Sequence, residues 1–330
     1  MQSNKTLFFG IIALAIIIVI GLFLARFLVA DELNLPTGPE KISIRLVAAP
    51  SIKPWVDQAA QAFNQSNPNT QVEIIEAEDL IPQAQFRSNP QVAPPAAWLA
   101  EATFVVEMAG GSGLQFNDAR SVASTSLAWG AFKDKQEAFA QKYGPLSWTS
   151  VHTKATATDD FLTIVIAPPQ NSAEGLAALI SATAAHLNKQ SLASADVSQS
   201  DAWLNETFAE NTRIPPLPAE AFATQGRSLG DAGILALTSW RSVGLTNKAD
   251  FAVTPAQPNV TLDYPFAIFP QATPPAQQAA AAFRDFLLAE SQQNALANFS
   301  FDRASATQAG VKVDGATALA LLRWAERTLR

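Results

Sequence analysis

Cysteine is absent from this chain of 330 residues. Its absence excludes a disulfide framework, a thiolate metal site and a lipid-modified cysteine as a means of attachment. Histidine is scarce too, with only His152 and His186 present. His186 falls among alanines on a helical pattern, and His152 follows Trp148-Thr149-Ser150-Val151 in a connecting stretch. Neither has the neighbours a nucleophile–base pair requires. Charged residues make up only 15% of the chain, the net charge is −7 and the pI is near 4.9. No basic cluster occurs, so nucleic-acid binding is disfavoured, because that affinity rests on phosphate neutralisation.

Nucleotide and hydrolase motifs are missing as well. There is no Walker loop, no dinucleotide fingerprint and no nucleophile elbow; Gly111-Ser112-Gly113 reads as a flexible turn. Asp196-Val197-Ser198-Gln199-Ser200 matches a D-x-S-x-S magnesium pattern. That pattern needs an apolar strand before it, and Lys189 to Ser194 cannot form one. A polar loop, with Asp196 or Ser200 near the start of the helix bearing Trp203 and Phe208, is the plainer reading. No catalytic set, metal site or cofactor is expected.

One long apolar run is present: Leu7–Ala25 (LFFGIIALAIIIVIGLFLA). Roughly 19 uncharged residues suffice for one membrane span at 1.5 Å each. A cleaved secretory signal is the rival, but its apolar region normally runs about 7–15 residues and ends at a small-residue site. Arg26 to Ala30 matches such a site poorly, so residues 1–30 are expected to stay as a single-pass anchor with the remainder outside the cytoplasm. Lys5 and Arg26 flank the run with equal charge, so orientation rests on the shortness of the leading tail. Residues 31–41, with two prolines and a glycine, form a short linker.

Beyond the linker the periodicity switches between strand and helix. Ile42–Val47 alternates as a strand, Lys53–Asn64 carries apolar residues at Val56, Ala59, Ala60 and Phe63, and Gln71–Ile75 is a second strand. That strand–helix–strand order implies a parallel α/β sheet. Further strands are expected at 96–100, 122–129, 162–167, 234–237 and 265–269, with helices at 104–109, 133–142, 172–187 and 274–299. The apolar fraction, 48% and rich in alanine, suits helices packed closely on sheets, and the length favours two lobes. Small polar residues collect at strand-to-helix turns: Pro50-Ser51, Ser121 to Thr125, Asn171-Ser172 and Thr238-Ser239. In an open parallel sheet such turns lie on the ligand-binding edge. Each hydroxyl alone is better explained as a helix cap; four such turns together favour a shared cleft.

Several ordered stretches resemble the bacterial extracellular solute-binding proteins of the type 2 periplasmic-binding fold. They are IRLVAAPSIKPWVDQAAQAFNQ (44–65), PAAWLAEATFVVEMA (95–109), SVASTSLAWGAF (121–132), LDYPFAIF (262–269) and AAFRDFLLAESQQNALANFSF (281–301). The closest likeness is to a membrane-anchored branch often joined to a von Willebrand A domain, which is absent here. The resemblance implies two lobes joined by two crossing strands, residues 42–125 with 261–330 forming lobe 1 and 126–260 lobe 2. It implies a small solute bound between them: Ser51 in the first-strand loop, Ser121, Ser124 and Thr125 near the hinge, Asn171 and Ser172 capping a helix from lobe 2, and Tyr264 lining the return crossing. The chain departs from the pattern at Glu101, often aspartate in relatives, and at Ala173-Glu174, where smaller residues are common. Two roles follow: capture of a small polar ligand for an ABC-type permease, or a cell-surface sensor or assembly module that keeps the fold without transport.

Overall fold

Strands that bury both faces cluster here into two mixed sheets, each covered by helices. The computed structural model describes residues 41–87, 92–158, 161–304 and 310–329. The apolar run Leu7–Ala25 and the linker up to residue 40 lie outside the described residues, and among these no helix is long and apolar enough to cross a membrane.

Strand β1 (Ile42–Ala48), helix α1 (Lys53–Ser66) and strand β2 (Thr70–Glu76) form the expected strand–helix–strand unit. Helix α1 buries Trp55, Val56, Ala59, Ala60 and Phe63, the stripe its spacing requires. Strand β3 (Ala97–Leu99) pairs parallel with β1 and is wholly buried. Helix α2 (Thr103–Gly111) and strand β4 (Asn117–Ser121) follow. Strand β5 (Ala123–Phe132) then leads out of this part of the chain and runs three residues past its expected end.

The second sheet gathers from the middle of the sequence. This stretch holds helices α3 (Lys133–Tyr143) and α4 (Trp148–Ala155), strand β6 (Ile164–Ile166), helix α5 (Ala173–Leu187), strand β7 (Ser191–Leu192), which stands apart from the sheet, helix α6 (Ser194–Phe208), strand β8 (Thr212–Arg213), helix α7 (Pro218–Gln225), strand β9 (Ala232–Ala236), helix α8 (Leu237–Ser242) and strand β10 (Phe251–Pro255). The sheet's strand order is β10-β5-β9-β6-β8. Strands β9, β6 and β8 run parallel, whereas β5 is antiparallel to β9 and β10. Helix α5 is apolar all round and is buried from Ala173 through Ala184 except at Glu174, as a helix clasped between layers must be. Trp129, Trp148 and Trp240 are each at most 1% exposed and fill this half.

The chain returns through β11 (Thr261–Leu262), which pairs with the first half of β5, to β12 (Pro265–Ile268) in the first sheet. That sheet has the order β2-β1-β3-β12-β4, with β12 antiparallel to both neighbours. The helix expected over 274–299 is broken. Helix α9 (Pro274–Leu288) stops at Ala289, whose ψ is 147°, and α10 (Glu290–Ala295) starts afresh before a short 3-10 turn. Buried Gln293 accounts for the break: its amide donates to the Leu287 carbonyl freed by it and to Val122 O, at 2.9 and 2.8 Å.

Strand β13 (Asp302–Arg303) adds to the start of β5, and β14 (Lys312–Val313) pairs with β7. Helix α11 (Gly315–Thr328) closes the described chain. It packs on α2 from the first half and on α5 and α6 from the second. Gly315 sits where a side chain would run into the backbone of Glu107 and Met108, so only glycine permits that approach.

Two sequence readings shift in the structure. Residues Asp196–Ser200 are helical, within α6, rather than a loop: Asp196 accepts the Ala193 N–H at 2.8 Å and pairs with Lys189. His152 lies within α4 rather than in a connection, and it and His186 each stack on Trp203, at 4.8 and 4.9 Å.

Candidate functional site

The carboxyl ends of β1, β3, β6 and β9 converge between the two halves, each followed by a turn into a helix. Ser51 follows β1, Glu101 follows β3, Ser172 caps α5 after β6, and Ser239 lies in α8 just after β9. Gly175 makes the placement of α5 possible. A side chain there would strike the Ala167 carbonyl and Pro169, so glycine lets the first turn of α5 settle against the end of β6.

Glu101 is the centre of this arrangement. One carboxylate oxygen accepts the Ser51 hydroxyl at 2.9 Å. The other reaches across to the opposite half, accepting the Ala173 N–H at 2.7 Å and the Ser172 hydroxyl at 3.4 Å. The open amino terminus of α5 is thus filled by a carboxylate of this same chain, which is what an exposed set of helix N–H groups favours. Ser172 also accepts the Glu174 N–H at 3.1 Å as the helix cap. Glu174 turns the other way and accepts from the Ala236 N–H and, at 2.7 Å, from the Ser239 hydroxyl.

Tyr264 ties the crossing to the site. Its hydroxyl lies 3.2 Å from Ser51 Oγ, its N–H donates to the Glu101 carbonyl at 3.2 Å, and its ring packs edge-on against Phe301 at 5.0 Å. The residue is 1% exposed and its φ is +38°. Such a backbone is costly for an aromatic residue, of order 1–3 kcal/mol, and persists where the surroundings dictate it.

Electrostatics at the site run in one direction. Burial pushes the Glu174 carboxyl up to about 7, only partly offset by its bonds to Ser239 and Ala236, and Glu101 and Glu220 push it further in the same sense. Burial likewise raises Glu101, against the opposing hydrogen bonds from Ala173, Ser51 and Ser172. Tyr264 is raised by burial first and by Glu101 next. Each shift marks a charged form short of compensation.

A cavity of about 520 Å³ opens here, walled by Ser51 and Glu101 on one side, by Ser172, Glu174 and Ser239 on the other, and by Phe301. A second of about 300 Å³ adjoins it through Pro50, Glu101 and Asn171, which line both. Of the predicted residues, Ser51, Asn171 and Ser172 line these cavities; Tyr264 lines neither, and lies buried against Ser51 instead. The other predicted residues support the crossing strands. Ser121 donates to Asp263 at 3.0 Å, Ser124 donates to the Arg303 carbonyl at 2.8 Å, and Thr125 accepts the Thr238 N–H at 3.2 Å. Asp263 in turn holds the first turn of α2 through Thr103, at 2.7 and 2.6 Å.

Glu101, Glu174 and Phe301 complete the walls; the sequence marked the two glutamates only as departures from the family pattern. The available signal was a carboxylate standing directly after a buried strand (Ala97-Trp98-Leu99-Ala100-Glu101), at the edge where ligands bind.

Two α/β halves joined by crossing strands, with a cavity between them, define a two-lobed fold of the periplasmic-binding kind. Residues 44–302 match the family described as bacterial extracellular solute-binding protein, and the chain belongs to that family. Solved structures agree at the level of the fold. Iron-bound HitA from Pseudomonas aeruginosa is 14% identical with a TM-score of 0.63, covering 86% of this chain and 98% of its own. The periplasmic binding protein AfuA from Actinobacillus pleuropneumoniae, with fructose 6-phosphate bound, is 14% identical with a TM-score of 0.62 over 87% of this chain and 98% of that one. The substrate binding protein of an ABC transporter from Agrobacterium tumefaciens is 12% identical with a TM-score of 0.60, over 89% and 96%. No protein of curated function matches the chain.

Proposed function

We propose that the chain is a membrane-tethered solute-binding protein that captures a small polar ligand between its lobes and delivers it to an ABC-type permease. The observation that carries this reading is the cavity of about 520 Å³ walled by residues from both sheets, a volume suited to a small ligand. Ser51, Asn171 and Ser172 are assigned to the ligand, Tyr264 to positioning Ser51, and Ser121, Ser124 and Thr125 to the crossing. Lobe 1 is taken as 42–125 with 261–330 and lobe 2 as 126–260, with α11 reaching from the first onto the second. The apolar run Leu7–Ala25 is the tether, and it places the lobes outside the cytoplasm.

A thermal-shift screen of the full chain in mild detergent tests the reading, with panels of sugars, amino acids, amines and oxyanions. A ligand at 100 times its Kd adds about 2.7 kcal/mol and raises Tm visibly. Ser172→Leu, which fills the cavity wall, is expected to abolish that shift. Uniform silence across all panels would refute solute capture.

A further inference from the structure

The walls of the two adjoining cavities carry one sign of charge. Glu76, Glu78, Asp79 and Glu101 line the smaller, and Glu101, Glu174 and Glu220 line the larger. No lysine, arginine or histidine lines either among the described residues. Glu101 and Glu174, which both line the larger cavity, take all their hydrogen bonds from hydroxyls and backbone N–H groups. No cation pairs with either among the described residues.

The arrangement is also closed to anions. The feature that would draw an oxyanion, the amino terminus of α5, has its first N–H given to Glu101 and its second to Ser172 Oγ. An oxyanion would have to displace a carboxylate of the protein and then sit beside a second one, at a Coulombic cost.

Unmet hydrogen-bonding capacity points the same way. Both bonds to Glu174 fall on Oε1, which leaves Oε2 without a partner among the described residues. The missing component is a group that donates hydrogen bonds to carboxylates and brings positive charge.

Resting on the solute-capture reading above, we infer that the ligand is a small organic cation bearing N–H donors, a primary ammonium or guanidinium compound, held between Glu101 of one half and Glu174 of the other. An organic cation fits better than a metal ion, because no group of three or more metal-ligating side chains occurs among the described residues. The acidic walls also concentrate cations at the mouth of the cleft before contact is made.

The test is isothermal titration of the full chain in detergent at pH 8. The probes are putrescine, agmatine, spermidine, lysine and arginine, set against phosphate, molybdate, glucose and fructose 6-phosphate. At least one cation is expected to bind, with none of the anions or the neutral sugar doing so. Glu174→Gln, isosteric and uncharged, is expected to raise the Kd of that cation about tenfold or more. The unliganded Tm of the variant checks that it is folded, and Glu101→Gln supplies an independent variant from the opposite wall. Binding of an oxyanion or sugar with every cation silent would overturn the cation assignment and leave solute capture standing. Binding of a cation undiminished in both variants would overturn the assignment to these two carboxylates. Silence of every probe would overturn both readings.

Discussion

Two half-buried carboxylates in this molecule meet opposite fates. Asp231, at the edge of the second sheet, receives Lys135 at 3.0 Å, Lys154 at 3.4 Å and the Thr163 N–H at 2.9 Å. Burial alone would raise its pKa, but the two lysines and the N–H bring it below the usual range. Glu174, at the cleft, has a hydroxyl and an N–H but no cation, and it rises to about 7. The chain pairs a shielded carboxylate away from the cleft, and at the cleft, where we propose that the ligand enters, it leaves one without a cation among the described residues. That contrast separates structural from functional charge more sharply than composition does.

The contrast breaks or sharpens under substitution. Asp231→Ala removes a carboxylate that Lys135, Lys154 and the Thr163 N–H share. The expected loss is about 2–3 kcal/mol in urea unfolding. Glu174→Gln, which keeps an acceptor for Ser239 and Ala236, is expected to cost less than about 1 kcal/mol. Equal losses in the two variants would erase the distinction drawn between the sites.

A pH series probes the same pair without mutation. Glu174 binds its proton more tightly folded, near 7, than its ordinary value of 4.5. Between these values the folded state holds more protons than the unfolded state, so stability falls as pH rises through this window. The expected drop is of order 2 kcal/mol from pH 5 to pH 8. Glu101 adds to it in the same direction, and Glu174→Gln is expected to flatten the slope. Asp231, with its lowered pKa, contributes stability that is lost only at more acidic pH. A flat profile in the unmodified chain would contradict the assignment of an uncompensated carboxylate. A modest effect is expected of Ser172→Ala. Losing the cap costs about 1 kcal/mol, read as a modest drop in Tm, and Glu101 keeps its bond to the Ala173 N–H.

Local pattern made much of this fold readable. The apolar stripe of α1 and the alternation in β1 are signals within one element, and Thr273-Pro274-Pro275 marks the start of α9 as plainly as any cap can. Its end at Ala289 was not readable, because the break depends on Gln293 reaching Val122, 171 residues away in sequence. Ser51, Ser172 and Tyr264 stand at turns whose position follows from the strand–helix order. The residue that joins Ser51 and Ser172 does not announce itself. A glutamate after a strand ordinarily faces water, and the contact from Glu101 to Ala173 spans 72 positions. Nor does anything local mark Tyr264 for a positive φ, which the crossing imposes. For α11, Ala318, Leu321 and Ala325 have helical spacing, yet its double attachment to both halves is a tertiary fact.

That double attachment shapes how the cleft can work. Two crossing strands alone would form a hinge free to swing, and a ligand would then have to draw on its own binding energy to bring the walls together. Here a third tie spans the joint: Gly315 is seated on the backbone of α2, and at the far end of the same helix Trp324 packs edge-on against Phe208 of α6, 6.1 Å between ring centres. A braced joint keeps the two walls near their working separation before anything binds. Under the solute-capture reading proposed above, the binding-competent fraction in the empty protein is then expected to be large, with little of the ligand's intrinsic affinity spent on rearrangement.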